Sequence, residues 1–485
     1  MAKIHTLLIV FTLLCHVGLV KAQVYYLSDL LQLRGTTLAE EIMESENAIN
    51  EYDNILFYNQ VLPKVQLSAV LPNVINSISP ITMGDGSEKF VNRFYMTSMM
   101  SLGVSQLVPF TGGTLSFSSG LTRLDNYSPQ RNKSYNYNLF NLSYYQNVSI
   151  FNQYKWDKRL LHKQNEVFGL DQIKSREKIN LSIVELFFDL LEAQKKEELK
   201  IKMEENALLI YEKAKALYSQ GRIAYSELLD AEIALNNYRN TTVHNERVRQ
   251  QRFLVSKMKL AIDNPIVVFD FDSFDNMIFS FDIDIITHRA VKYSASIQQE
   301  FEQLLQERDV KRMKAAGLPS LSISIGGGYN SHNEEFRHLI KTPSSNFSAI
   351  ISIGVPILSW GENRYQVNRL IAQNHISMIE YMEKVSDLET TCNYELDCLP
   401  LLLESIKASK ATLHALYSQL QELTKQYEAG RISFTRIQDS QKEIIQTELN
   451  RIDYAKQLYY LKYKYRMIAL FDVFENNPID GEAYE

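Results

Sequence analysis

The sequence predicts a mixed α/β membrane protein made of two similar halves, in which long coiled-coil-like helices alternate with strands that cross a membrane. Three observations carry this expectation. YSQGRIAYSELLDAE, from Tyr218 to Glu232, returns as YEAGRISFTRIQDSQ, from Tyr427 to Gln441, with Tyr, Gly-Arg-Ile and Asp in the same order. Two runs, Tyr154 to Ser219 and Trp360 to Glu428, hold almost no proline or glycine in a chain of 485 residues with only 11 Pro and 18 Gly. Several shorter segments alternate apolar with small polar residues, behind an N-terminal leader.

The leader spans residues 1–22. Lys3 is followed by an apolar stretch from Leu7 to Val20 and by Val20-Lys21-Ala22 before Gln23, which reads as a cleaved secretory signal. An uncleaved anchor helix and a lipidated Cys15 are the competing readings. The apolar run is short for a membrane span, and Leu14 stands before Cys15 where a small residue is expected. Beyond the leader no run of 18 apolar residues occurs, so any membrane passage must use strands.

The first half is expected over 23–262. After a helix, Leu62-Pro63 leads into VQLSAV. An extra hairpin turns at Thr111-Gly112-Gly113, and strands are expected over Thr114 to Leu121 and Phe140 to Tyr145. The tyrosines between Tyr135 and Tyr145 suit an interfacial girdle or a packed core. Val148-Ser149-Ile150-Phe151 opens the first long helix, Gly221 reverses it, and a second helix runs from Tyr225 to Ile262. Leu228, Ala231, Leu235 and Tyr238 recur at coiled-coil spacing, as do Leu413, Leu416, Leu420 and Leu423. Residues 263–286, rich in Asp and Phe, form an expected connector, extended or packed on the outside.

The second half is expected over 287–472. Leu318-Pro319 leads into SLSISIG, and Ser348 to Val355 alternates apolar with small residues, Ile350 excepted. Gly326-Gly327-Gly328 opens no helix, so it suits a strand that needs thin residues better than a phosphate loop. A helix follows from Trp360 to Glu428, interrupted at Gly361 and Pro400, then the turn at Gly430 and a helix from Phe434 to Phe471. Residues 473–485 read as an acidic tail. Cys392 and Cys398 stand too far apart on a continuous helix to form a disulfide, unless the chain breaks near Pro400.

Composition narrows the function. Net charge is −6, which argues against nucleic acid as a partner. The nine histidines show no metal-ligand spacing, and no nucleophile–base pairing or carboxylate dyad stands out. We therefore expect neither an enzyme, nor a cofactor, nor a metal. Alternating strands alone suit a half-buried soluble sheet as well as a barrel wall; the secretory leader favours the wall.

The paired Leu-Pro strand starts, the V-P-I-L-S-W-G exit from Val355 to Gly361 and the doubled Y-x-x-G-R-I…D turn resemble the TolC-like outer membrane factor family across essentially the whole mature chain. The resemblance implies a homotrimer, whose strands share one β-barrel in outer membrane lipid and whose helices form a hollow α-barrel in the periplasm. Physical reasoning points the same way: one chain's few strands cannot close a barrel around water, and open edges are not tolerated in lipid. Helices of about 65 residues, on the order of 100 Å, suit a compartment-spanning tube.

The implied function is a passive exit duct of a tripartite efflux or type I secretion system, working with a periplasmic adaptor and an inner-membrane transporter. The alternative is a trimeric coiled-coil surface protein with a small barrel anchor and no transport. By register with the family, Asp439 and Arg436, and Glu227 and Asp230 in the first half, fall at the periplasmic aperture. Arg436 departs from the family's acidic pattern, and pairs between chains with Asp439 would hold the aperture shut. Gly221, Arg222, Gly430 and Arg431 fall at the turns that would dock the adaptor, with Tyr218 and Tyr427 expected beneath them. Solvated acidic residues at helix starts are the competing reading of the aperture set.

Overall fold

The computed structural model describes residues 24–260, 265–341 and 343–479. The leader with Cys15, and residues 480–485 of the expected tail, lie outside them. The chain divides into two compact units, one of residues 1–46, 169–297 and 383–485 and one of 47–168 and 298–382.

The second unit holds one six-stranded antiparallel sheet in the order β2-β3-β4-β5-β7-β8. Its strands are β2 (Lys64–Thr82), β3 (Glu88–Val108), β4 (Gly113–Ser128), β5 (Asn132–Val148), β7 (Ser320–Asn333) and β8 (Ser344–Gly354). The residues before Val148 contribute four strands and those after Pro319 only two. The hairpin expected at Thr111 to Gly113 lies inside this sheet, joining β3 to β4. The triple glycine sits in β7 for a steric reason: a Cβ at Gly328 would lie 2.0 Å from the Phe140 carbonyl oxygen, beside the register shift between Asn138 and Phe140.

The rest of the chain is mainly helical, and the first unit is built from helices and short strands. α1 (Leu27–Gln32) and α2 (Leu38–Asn59) precede the sheet, and α3 (Gln153–Ser219) and α4 (Tyr225–Leu260) follow its first four strands. After the short strand β6 (Ile266–Val267) come α5 (Ile283–Val291) and α6 (Ile297–Ala316), joined by a π-turn over Lys292–Ser296. α7 (Glu362–Glu428) and α8 (Phe434–Ile468) close the chain, with α3 and α7 each 67 residues long. The main core of this unit buries Phe187, Phe188, Leu396, Leu399, Ile452 and Leu458.

Four sequence expectations need correction. α7 runs unbroken through Pro400, whose neighbours Leu396, Leu399 and Leu403 are buried and hold the helix across the missing N–H. Cys392 and Cys398 accordingly stand as free thiols. Residues 265–286 are not purely a surface connector: Val267 and Phe274 are buried in the core, and the short strand β6 pairs in parallel with β1 (Val24–Tyr25). α5 begins within that range, at Ile283, because the Asp282 side chain accepts from the Asp284 and Ile285 N–H groups. The last helix stops at Ile468, and Phe471 lies in β9 (Phe471–Asp472), which pairs with β10 (Asn477–Pro478). Val473, assigned to a tail, is buried.

Candidate channel wall and helix-turn tip

Strand pairing sorts the sheet's residues into two faces. Directly paired residues share a face, so rows can be followed from strand to strand. One row runs Val65, Val104, Phe117, Leu142, Gly327, Phe347; the next runs Gln106, Leu115, Tyr144, Ile325, Ala349. Further rows on that face pair Ile323 with Ile351 and Leu321 with Ile353. On the opposite face one row runs Gln66, Gly103, Ser118, Asn141, Gly328, Asn346, and another Lys64, Ser105, Ser116, Ser143, Gly326, Ser348.

The apolar face is uncovered within the chain: Phe347 is 77% exposed and Ile353 69%. A soluble sheet buries such a face against its own core. An uncovered apolar face backed by Ser, Gly and Asn is the pattern of a wall between lipid and water. No helix among the described residues is long and apolar enough to cross a membrane. Tyr135, Tyr137 and Tyr144 project on the apolar side, where they pair with Arg123, Leu121 and Leu115, whereas Tyr145 pairs with Thr114 on the polar side.

The helical unit ends in two turns of the same geometry. Gly221 N–H donates to the Tyr218 carbonyl at 2.9 Å and Arg222 N–H to the Leu217 carbonyl at 3.0 Å. Gly430 N–H donates to Tyr427 at 2.8 Å and Arg431 N–H to Gln426 at 3.0 Å. Each is a Schellman cap with glycine in the left-handed region, at φ of 68° and 69°. The turns also touch: Arg222 Nη2 donates to the Ala429 carbonyl at 3.2 Å, and Lys213 pairs with Glu428. Behind them Ala214, Ala231, Ala234, Tyr427, Phe434 and Ile437 form a small core. Tyr427 is buried as expected, and burial together with the charge of Glu227 raises its pKa. Tyr218 is 43% exposed, a correction: its ring meets Tyr225 across the turn, outside that core.

The structure separates the aperture candidates. Arg436 and Asp439 are exposed and three residues apart on α8, so they share a face, and neither pairs with an opposite charge among the described residues. Asp230 is exposed and Glu227 half-buried, both on the first turns of α4. Arg431 is exposed and contributes its backbone N–H to the turn.

One buried charge cluster gave no sequence signal, because Glu177 of α3 lies far in sequence from Lys462, Arg466 and Asp472. Arg466 donates to both oxygens of Glu177 at 2.9 and 3.1 Å and to Asp472 at 2.7 Å, and Lys462 lies 3.3 Å from Asp472. Glu177 and Asp472 are almost fully buried. Burial alone would raise the Asp472 pKa, but Lys462 and Arg466 outweigh it and hold the group below its usual value.

Comparison with known proteins agrees with this geometry. Residues 295–460 match the model of the outer membrane efflux protein family. Cation efflux system protein CusC of Escherichia coli is 21% identical over 287 residues, covering 52% of this chain and 62% of that protein. The probable outer membrane lipoprotein SilC of Salmonella typhimurium is 20% identical over 164 residues, covering 33% of this chain and 35% of that protein. The matches thus span less than two thirds of these relatives' lengths. The crystal structure of the Campylobacter jejuni CmeC outer membrane channel superposes with a TM-score of 0.65 at 14% identity, covering 94% of this chain and 87% of that one.

Proposed function

We propose, from the match of residues 295–460 to the outer membrane efflux protein family, that this chain serves as the passive exit duct of a tripartite export system in the outer membrane. The observation that carries the reading is a sheet face rich in Ser, Gly and Asn, interrupted at Leu107, Tyr145 and Ile350, behind an uncovered apolar face. Such a face lines water, and an anchor without transport would have no use for it. The free edges β2 and β8 require closure by further copies, since unpaired backbone is not tolerated in lipid. Three copies of a six-stranded sheet reach the range of about sixteen to eighteen strands that leaves an aqueous channel.

In this reading the helix turns form the periplasmic end. Arg436 and Asp439, without charge partners among the described residues of their own chain, pair between copies and latch it, and Glu227 and Asp230 stand beside them. Gly221, Arg222, Gly430 and Arg431 present the surface that a periplasmic adaptor grips, and an inner-membrane transporter supplies the energy. Purified oligomer in a planar bilayer should conduct ions. A verified oligomer with no conductance would overturn the duct.

A further inference from the structure

The turn between β3 and β4 folds toward one side of the sheet. Thr111 Oγ1 lies 2.8 Å from the Tyr144 hydroxyl, and Gln146 Nε2 donates to the Thr111 carbonyl at 3.0 Å. Both partners belong to the apolar face, since Tyr144 pairs with Leu115 and Ile325, and Gln146 with Ile323. Gly113 permits the fold-over: a Cβ there would lie 2.5 Å from the Tyr144 hydroxyl. The turn thus carries Phe110, 80% exposed, out on the apolar side. Asn152 Nδ2 ties the turn to the start of α3 by donating to the Pro109 and Phe110 carbonyls at 3.3 and 3.4 Å.

A basic stripe begins directly below. Lys155 Nζ lies 4.9 Å from the centre of the Phe110 ring. Lys155, Lys158, Arg159 and His162 follow at helical spacing, all exposed, and line an open cleft of about 860 Å³ with Phe110. Lys155, Lys158 and Arg159 form no ion pair with any described residue; Arg159 instead lies 4.6 Å from the Trp156 ring centre. The nearby carboxylates are occupied elsewhere. Asp157 accepts from Gln153 and lies 3.8 Å from Arg308, and Glu166 and Glu300 both hold Lys163. Cations in the first turns of a helix oppose its dipole, so helix stability does not explain them. An exposed aromatic at the edge of an apolar wall, over unpaired cations on long stems, is suited to the headgroup zone of a membrane, where the ring sits among headgroups and the cations reach phosphates.

We propose that Phe110, Lys155, Lys158 and Arg159 form a collar that binds anionic glycerophospholipid headgroups of the leaflet at the helix end of the sheet. The proposal rests on the apolar face being the lipid-facing wall. The full chain in neutral detergent is titrated with fluorescent phosphatidylglycerol and, separately, fluorescent phosphatidylcholine, followed by anisotropy. Wild type should prefer the anionic lipid by about tenfold, and salt should weaken the preference. K155S/K158S/R159S should lose the preference, whereas K155R/K158R should keep it. The substituted side chains are exposed, so oligomer and conductance should stay at wild-type level.

Equal binding of both lipids by wild type, or an unchanged preference in the triple variant, would overturn the collar. So would inorganic phosphate displacing the anionic lipid at equal concentration, which would mark a free-phosphate site. Absent conductance with the lipid preference intact would sink the duct and leave the collar standing.

Discussion

Gly221 and Gly430 show how one residue type is required where the chain must reverse. No atom lies within 4 Å of a Cβ added at Gly221, so the demand there is purely one of backbone conformation. Gly221→Ala should cost about 1 kcal/mol through left-handed strain, and Gly221→Asn less, because Asn tolerates that region. Equal thermal unfolding midpoints for the two variants would refute a backbone origin. Arg436 raises a different question, since its charge has no partner among the described residues of its own chain. If it latches a neighbouring copy through Asp439, Arg436→Ala should pass more current than wild type in a planar bilayer. Unchanged current would show that the pair latches nothing.

Among elements, β8 and the β9–β10 hairpin make opposite demands. Each β8 residue belongs to a row that crosses the sheet, so its tolerance depends on its face. Phe347→Lys, on the apolar face, should cut recovery of membrane-inserted protein sharply, by about 2–4 kcal/mol if the site lies mid-membrane. Ser348→Lys, one residue on, should insert normally, and equal losses from both would mean the faces are misassigned. The β9–β10 hairpin hangs on charge: Asp472 is held by Arg466 and Lys462 and accepts from the Phe474 and Glu475 N–H groups. Its folded-state pKa lies below the ordinary value of 3.8. Ionisation therefore contributes stability that is fully present above that pH and drains as acid takes the pH down through the folded value. Hydrogen exchange of residues 470–479 should accelerate below about pH 4 in wild type. In Asp472→Asn it should be fast throughout, and flat protection down to pH 2 would exclude this linkage.

At the scale of the molecule, six strands with two free edges describe an incomplete object. We expect β2 of one copy to pair antiparallel with β8 of the next. In a background of Cys392→Ser and Cys398→Ser, one cysteine at Gln66 can be combined with cysteines stepped along Ser348, Ser352 and Gly354. One register should give a ladder of linked copies on oxidation in the membrane. Monomer at every position would refute closure through these edges.

Local chemistry made much of this legible in the sequence. Period-two alternation over Leu321 to Ile325 and Thr114 to Leu121 marks strands because side-chain direction depends only on neighbours along the chain. Scarcity of Pro and Gly marks α3 and α7 for the same reason. Where neighbours in space decided, local reading failed. Pro400 stays helical because buried leucines grip both sides of it, Val267 and Phe274 anchor the connector because they find a core, and Glu177 meets Arg466 from almost three hundred residues away. The order of the six strands, and with it the joining of alternate residues into one apolar and one polar face, was likewise decided only by tertiary structure. Alternation within a strand reports two sides; which sides of different strands coincide is set by hydrogen bonds between distant segments.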